Sequence, residues 1–324
     1  MLKSLLRSYL AFSNKYYVPI MYRYALKRAL KLYRGDVHEQ IVNNNLTKEA
    51  PNNSKSFDQL DWNKNSQVVN ELMNTIKQEQ DVIMNSEITR QFLQNEKEER
   101  NMIDKSWLPL VAQYIASNRV LARELFNGDE TKAMLFIYDR ALLPPVEKMM
   151  RMVLGGQGRK GIASGWIVRT PRAGEDDNQV DVLEYMWKMM SMANDLIHAW
   201  TLTHEIYHET KLAANMSLEQ QQQQDKTLSG QDDDSSKKIR ISTIRVHHCM
   251  LNRFFRAHNA LNLMPVICSF DTIWARNAYE HTGHKLRRNQ TLSLGGNYCA
   301  FDFSKDFDKE HDVVSIEIEK LRKQ

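Results

Sequence analysis

The sequence predicts an α+β protein in which a helix-rich body packs on a small antiparallel sheet and carries an extended basic arm at its N-terminus. Apolar residues recur at helical spacing from residue 66 to about residue 153, whereas β-branched residues dominate 239–246. Two further strand patterns lie on either side of a Gly-Gly-Asn turn at 295–297. Helices grouped in one part of a chain and strands in another are typical of this class.

The helical patterns divide the first part of the body. They predict one or two helices over 66–100, a further helix over 108–123, and a run over 130–153 that Pro144 and Pro145 interrupt. Proline removes a backbone donor, so we expect separate helices on either side of this pair.

The longest unbroken helical pattern covers residues 180–215, where methionine and aromatic side chains form a stripe that is typical of core packing. Residues 217–238 are a low-complexity, glutamine-rich insertion, which we expect at the surface. A strand, two helices and two short strands are then expected at 239–246, 249–257, 265–282, 286–294 and 298–303. Residues 312–323 close the chain as a short strand or helix.

Composition limits the class of protein. Apolar residues make up 42% of the chain and charged residues 26%, which provides enough apolar surface for a folded core. The three cysteines are odd in number and widely spaced, so a reducing compartment is a simpler interpretation than a disulfide-rich secreted module. No stretch of 18 uncharged apolar residues occurs, and we therefore expect no transmembrane helix.

The positive charge of the chain belongs to its N-terminus. The net charge is +4, but residues 1–35 hold eight basic side chains and no acid, so the remainder is more acidic than basic. The eight are Lys3, Arg7, Lys15, Arg23, Lys27, Arg28, Lys31 and Arg34. A nucleic-acid-binding domain with one basic face is therefore not expected. The segment is typical of mitochondrial transit peptides, and the alternative is a basic amphipathic helix on a membrane surface or on a larger assembly.

The domain organisation follows these changes of composition. Residues 1–35 form the arm or targeting segment, and residues 36–66 are too polar to bury a core and form a linker. Residues 67–324 form one α+β domain that contains the insertion.

His204, Glu205 and His208 match the zinc-binding pattern H-E-x-x-H. On a helix, histidines four residues apart share one face and would hold zinc while the glutamate activates water. The segment lies in an expected helix, but the G-x-x-H extension of the metzincins is missing after His208. A zinc-dependent hydrolase is therefore an alternative, and the main expectation is a protein without a cofactor.

Three cysteines and one aspartate form a second candidate site. Cys249 opens an expected helix, Cys268 precedes Asp271 by three residues on the next helix, and Cys299 lies in the last short strand. Their spacing does not match a CxxC zinc site. Free cysteine is among the most buried residue types, so three structural thiols are the simplest interpretation from the residues alone.

The run from Val246 to Phe303 resembles the C-terminal half of the L-2-amino-thiazoline-4-carboxylate hydrolase-like family. Members of this family end with a Cys-x-x-Asp helix, a strand and a Gly-Gly-x-x-Cys-x-Phe-x-Phe signature. The matching residues here are Cys249, Cys268, Asp271, Gly295, Gly296, Cys299, Phe301 and Phe303. The closing signature alone is also similar to that of vinyl-reductase-like domains, so the combination of landmarks carries the resemblance.

The resemblance implies an α+β domain and hydrolytic opening of a cyclic amidine-like ring to a carbamoyl cysteine. Such hydrolysis requires an attacking water or thiolate and a proton donor, roles that Cys249, Cys268, Asp271 and Cys299 would fill if their side chains converge. The chain departs from the family at Ala300, where an acidic residue is usual, and in its long insertion and arm.

These departures favour a protein that has kept the fold without the activity. The leading hypothesis is a mitochondrial accessory subunit in the matrix or on the matrix face of the inner membrane. It would bind other protein subunits of a respiratory-chain or ATP-synthase complex, and residues 1–35 would contact the membrane surface. An active hydrolase that opens a cyclic amidine through the Cys/Asp cluster is the alternative.

Overall fold

The computed structural model describes two compact units. Unit 1 comprises Met1–Leu93 and Lys105–Pro145, and unit 2 comprises Gln94–Asp104 and Val146–Gln324. The residues described are 20–31, 33, 65–95, 102–156, 159–160, 200–210, 238–279 and 283–324. Most of the expected linker and all of the insertion except Lys238 lie outside them. The single domain over 67–324 stays a prediction.

Unit 1 is built mainly from helices. Its first four helices are α1 (residues 20–31), α2 (Asn65–Asn85), α3 (Glu87–Asn95) and α4 (Met102–Leu125). The prediction of one or two helices over 66–100 is confirmed as two, since Ser86 separates α2 from α3. Its hydroxyl accepts a hydrogen bond from the backbone amide of Thr89 at 3.1 Å and so caps the second helix.

Gln80 of α2 connects three helices of unit 1. Its side-chain oxygen accepts a hydrogen bond from Nη2 of Arg23 in α1 at 3.1 Å. Its side-chain nitrogen donates to the carbonyl oxygen of Pro109 in α4 at 2.7 Å. Because Arg23 belongs to residues 1–35, part of the expected arm is built into this unit.

A change of helix type follows α4. Helix α5 (Glu130–Phe136) continues as a π-helical segment, Ile137–Leu142, and then as α6 (Leu143–Leu154). Pro144 and Pro145 lie in the first turn of α6, directly after the π-helical segment, and their missing N–H groups cannot donate to carbonyls of the preceding turn. The proline pair therefore marks a new α-helix, although the helical path continues through the π segment.

Unit 2 contains a five-stranded sheet, which confirms the α+β class. The strands are β3 (Trp200–Thr210), β4 (Lys238–Cys249), β5 (Lys285–Arg288), β6 (Cys299–Ser304) and β7 (His311–Asp312). Their spatial order is β3-β4-β6-β5-β7. An antiparallel sheet was predicted, but the sheet is mixed because β7 pairs parallel with β5. A separate short ribbon is formed by β1 (Gly155–Gly156) and β2 (Arg159–Lys160).

The predicted strand at 239–246 and the two helices after it are confirmed as β4, α7 (Met250–Ala257) and α8 (Met264–Tyr279). Single 3₁₀ turns lie at Leu261–Leu263 and Leu292–Leu294. The last segment is helix α9 (Val313–Leu321). None of the helices in the described ranges combines the length and the apolar character that crossing a bilayer requires.

Residues 200–210 are a strand, so the helical prediction for 180–215 is wrong over this stretch, and its remaining residues lie outside the described ones. Strand β3 pairs with β4 along its whole length, from Trp200 opposite Cys249 to Thr210 opposite Lys238. Threonine, tyrosine and tryptophan side chains favour strands. The backbone hydrogen bonds of this long pairing outweigh the local helical pattern.

Candidate functional site

The four residues of the predicted thiol site lie on neighbouring elements of unit 2. Cys249 is the N-cap of α7 at the end of β4, Cys268 and Asp271 lie three residues apart on α8, and Cys299 opens β6. The charge of Asp271 acts on all three thiols, so the four side chains share one neighbourhood. Their catalytic role remains a prediction.

The turn between β5 and β6 connects two of the thiols through hydroxyl groups. The Thr291 hydroxyl lies 3.0 Å from Sγ of Cys299, and the Leu292 backbone amide donates to the same sulfur at 3.4 Å. The hydroxyls of Thr291 and Ser293 are 3.3 Å apart, and Ser293 also forms a hydrogen bond with the Cys268 side chain. A continuous path of polar groups therefore joins Cys268 to Cys299.

Two glycines shape this turn for different reasons. Gly295 has a φ of +86°, in the left-handed region that favours glycine. Gly296 donates its backbone N–H to the carbonyl oxygen of Thr291 at 3.0 Å, and a Cβ added there would lie 3.0 Å from that oxygen. The positive φ predicted for this turn is confirmed at Gly295, but the strand predicted over 286–294 ends at Arg288 and is followed by the 3₁₀ turn Leu292–Leu294. The turn holds Thr291 beside Cys299.

All three thiols are protonated at neutral pH. Desolvation by burial raises the pKa of Cys249 to about 12, and it also raises the pKa values of Cys268 and Cys299. Cys249 is half-buried, and the other two are buried. Because the thiolate is the nucleophilic form of cysteine, thiols in this environment are poor nucleophiles.

Asp271 differs from the thiols because solvent reaches it. Its side chain is 55% exposed, and its Oδ2 lies 3.6 Å from Nη1 of Arg288. Desolvation by the surrounding protein raises the pKa of Asp271 to about 6. The positive charge of Arg288 lowers this pKa, and the negative charge of Asp312 raises it further. Such a group exchanges protons close to neutral pH, as a general acid or base must.

Arg288, which was not among the predicted site residues, provides a buried positive charge next to the site. Its side chain is completely buried. Nε donates to Oδ1 of Asp312 at 2.7 Å, Nη2 to the Thr272 hydroxyl at 2.7 Å, and Nη1 to the Cys268 carbonyl oxygen at 3.0 Å. Burial alone would lower the pKa of Arg288, but the hydrogen bond and charge of Asp312 outweigh it and the pKa is raised.

Arg287 forms a second charged network on the opposite face of the sheet. Its Nη2 donates to Asp302 at 3.0 Å, to Glu209 at 3.1 Å and to the Tyr207 hydroxyl at 3.2 Å. Adjacent residues of a strand face opposite sides. Two neighbouring arginines in a strand pattern are therefore a sequence signal for buried charge on both faces of the sheet, although neither was predicted as a site residue.

The zinc arrangement expected for His204 and His208 rests on a helix that is absent here. Residues four apart on a strand share a face but are about 13 Å apart, too far for one zinc ion with ligands at about 2 Å. Glu205 pairs with Arg245 at 3.2 Å, and Nε2 of His204 lies 2.8 Å from the Ser242 hydroxyl. In the described part of the chain, no group of three or more His, Cys, Asp or Glu residues is placed to hold a metal ion. The spacing of His204 and His208, which motivated the zinc alternative, therefore does not bring the two histidines close enough to share a zinc ion.

Helices on a small mixed sheet, with a thiol and carboxyl cluster beside a glycine turn, define the class of the protein as α+β. Residues 137–303 match the family model described as L-2-amino-thiazoline-4-carboxylic acid hydrolase, over more than half of the chain. The chain belongs to this family. The resemblance seen in Val246–Phe303 is confirmed and extends back to the π-helical segment. Comparisons with curated proteins and with solved structures give no match.

Proposed function

We propose that the protein is a mitochondrial accessory subunit in which the hydrolase-family fold serves packing and protein binding and not turnover. The burial of the thiols carries this proposal, because desolvation raises the pKa of all three and makes them poor nucleophiles. Position 300 supports it as well. Where the family usually has an acid, Ala300 stands opposite Arg245, and Arg245 pairs with Glu205 of β3 instead.

The N-terminal segment supports the cellular location. Residues 1–35 hold eight basic side chains and no acid, which is the composition of a mitochondrial transit peptide. The same segment supplies α1, whose Leu26 and Leu30 are buried. Removal of all 35 residues would expose the core of unit 1, so we expect the mature protein to keep residues 20–31.

The proposed partner is a respiratory-chain or ATP-synthase complex, and the protein binds it at the matrix face of the inner membrane. The polar segment 36–66 connects α1 with α2, which both belong to unit 1, and its composition suits a surface segment that contacts a partner subunit.

Native electrophoresis of mitochondria dissolved in a mild detergent tests this proposal. The protein, detected with an antibody, should migrate with a large complex and stay with the subunits of that complex in a denaturing second dimension. Migration of all of the protein as a free monomer of 37.9 kDa would overturn the proposal.

Asp271 favours a second candidate function, hydrolysis of a cyclic amidine. Its accessible carboxylate would take a proton from water and return it to the ring nitrogen as the water oxygen bonds to the amidine carbon. The hydroxyl proton would then pass through the same carboxylate to the nitrogen as the carbonyl forms and the ring C–N bond breaks. Arg288 would hold the carboxylate in place from 3.6 Å.

A ring-opening assay decides on this candidate. If it is right, Asp271→Asn lowers the rate by about a hundredfold or more, while the exposed control Asp308→Asn keeps it. Cys299→Ala separates the mechanisms, because it spares a carboxylate-driven reaction and abolishes one that uses this thiol. The absence of turnover by the unaltered protein removes the candidate.

A further inference from the structure

Helix α1 has two faces, and its inward face belongs to the core of unit 1. Four of its side chains are 4% exposed or less: Tyr22, Leu26, Ala29 and Leu30. The ring of Tyr33 lies 5.8 Å from that of Phe126 and 5.0 Å from that of Phe136. These contacts hold α1 within unit 1 in one orientation, so its opposite face points outward.

The outward face begins with large apolar side chains. Ile20 is 60% exposed, Met21 41% and Tyr24 65%. Arg28 and Lys31, also exposed, follow on the same face at helical spacing. An exposed apolar cluster on a helix that is already anchored by its other face indicates a contact surface.

Charge identifies what this surface contacts. No acidic residue occurs in residues 1–35, so Arg28 and Lys31 have no carboxylate within their own segment. Helices that lie in a membrane interface combine apolar side chains, which enter the headgroup region, with cations that attract anionic lipids. Tyr24 suits the same boundary because its ring is apolar and its hydroxyl is polar.

We propose that the outward face of α1 binds the surface of a membrane that contains anionic phospholipid. The face consists of Ile20, Met21, Tyr24, Arg28 and Lys31. The helix lies along the membrane and does not cross it. This inference rests on the proposed function for its cellular setting. The test needs only purified protein and lipid, so lipid binding and the proposed function can fail independently of each other.

Sedimentation of the full chain with lipid vesicles is the test. The protein should bind vesicles of phosphatidylcholine mixed with phosphatidylglycerol and bind phosphatidylcholine alone weakly. Arg28→Gln with Lys31→Gln should weaken binding to the mixed vesicles about thirtyfold, from roughly equal contributions of the two cations. Ile20→Ser with Tyr24→Ser should also weaken it, because the apolar contact is lost.

A matched control uses two exposed lysines of unit 2. Lys305→Gln with Lys309→Gln removes the same charge and should leave vesicle binding within about twofold. All three variants change exposed residues, so unchanged thermal unfolding checks that they are folded. Equal binding to both kinds of vesicle, or equal weakening by the control pair, overturns the proposal. If the protein does not bind lipid but the same face binds an acidic partner protein, the membrane proposal is overturned in favour of a protein contact.

Discussion

Unit 1 and unit 2 bury different kinds of polar side chain. Among the described residues of unit 1, the buried polar side chains are uncharged, as in Gln80, Gln113 and Ser117. Unit 2 buries Arg287 and Arg288, each beside a carboxylate. Apolar burial therefore dominates the stability of unit 1, whereas unit 2 also depends on charge pairs, and the loss of one partner leaves a buried charge uncompensated.

The largest effect is expected where a buried pair of unit 2 is broken. Arg288→Met leaves Asp312 without its counter-charge and should lower the free energy of unfolding by about 3–5 kcal/mol, measured by urea denaturation. Arg288→Met combined with Asp312→Asn should recover much of this loss, since the amide still caps α9. The exposed pair of Arg276 with Glu310 gives the control, and Arg276→Met should cost about 1 kcal/mol or less. Equal losses at both arginines would contradict the contrast between the units.

A smaller loss is expected in the apolar core of unit 1. Leu26→Ala removes a side chain that is 0% exposed and should lower the free energy of unfolding by about 3 kcal/mol, because a cavity replaces it. Tyr24→Ala, on the outward face of the same helix, should change it by about 0.5 kcal/mol or less. If Leu26→Ala is equally mild, α1 does not belong to the folded unit.

Acid should weaken unit 2 through Asp312. Burial would raise the pKa of this carboxyl, but hydrogen bonds from Arg288, Thr272 and Ser315 and the charge of Arg288 lower it from 3.8 to about 2. A lowered pKa stabilises the folded state above the unfolded pKa, and this contribution disappears as the pH falls from about 5 to 2. It amounts to roughly 2 kcal/mol. Unfolding measured from pH 6 to pH 3 should show a smaller decline in Asp312→Asn, and an unchanged decline would exclude Asp312 as the cause.

Local chemistry made one part of unit 2 predictable from sequence. The β-branched run at 239–246 specifies β4, and the glycines at 295–296 specify the turn before β6. Both features depend on local properties of the chain: β4 on the strand propensity of its residues, and the turn on the positive φ that glycine allows. The grouping of Cys268, Asp271 and Cys299 came from the family resemblance, because spacing along the chain does not reveal which helix faces which strand.

Long-range pairing made other parts unpredictable. Strand β3 is specified by its register with β4, whose residues follow after the insertion. The Arg288 and Asp312 pair joins residues on β5 and β7, and these strands become neighbours only when the sheet forms. Burial of a charged side chain is governed by such a partner, which a scan of short sequence windows does not detect.

Asp312 also sets the order in which the new chain can fold. Its carboxylate accepts a hydrogen bond from Thr272 of α8 at 2.6 Å, neutralises Arg288 and caps α9. It is synthesised 24 residues after Arg288, so the guanidinium of Arg288 stays in water until Asp312 has left the ribosome. Unit 1 is complete by residue 145 and can fold during translation, whereas the sheet of unit 2 must wait for Asp312. A ribosome that stalls shortly before Asp312 would therefore hold a chain with a finished first unit and an open sheet.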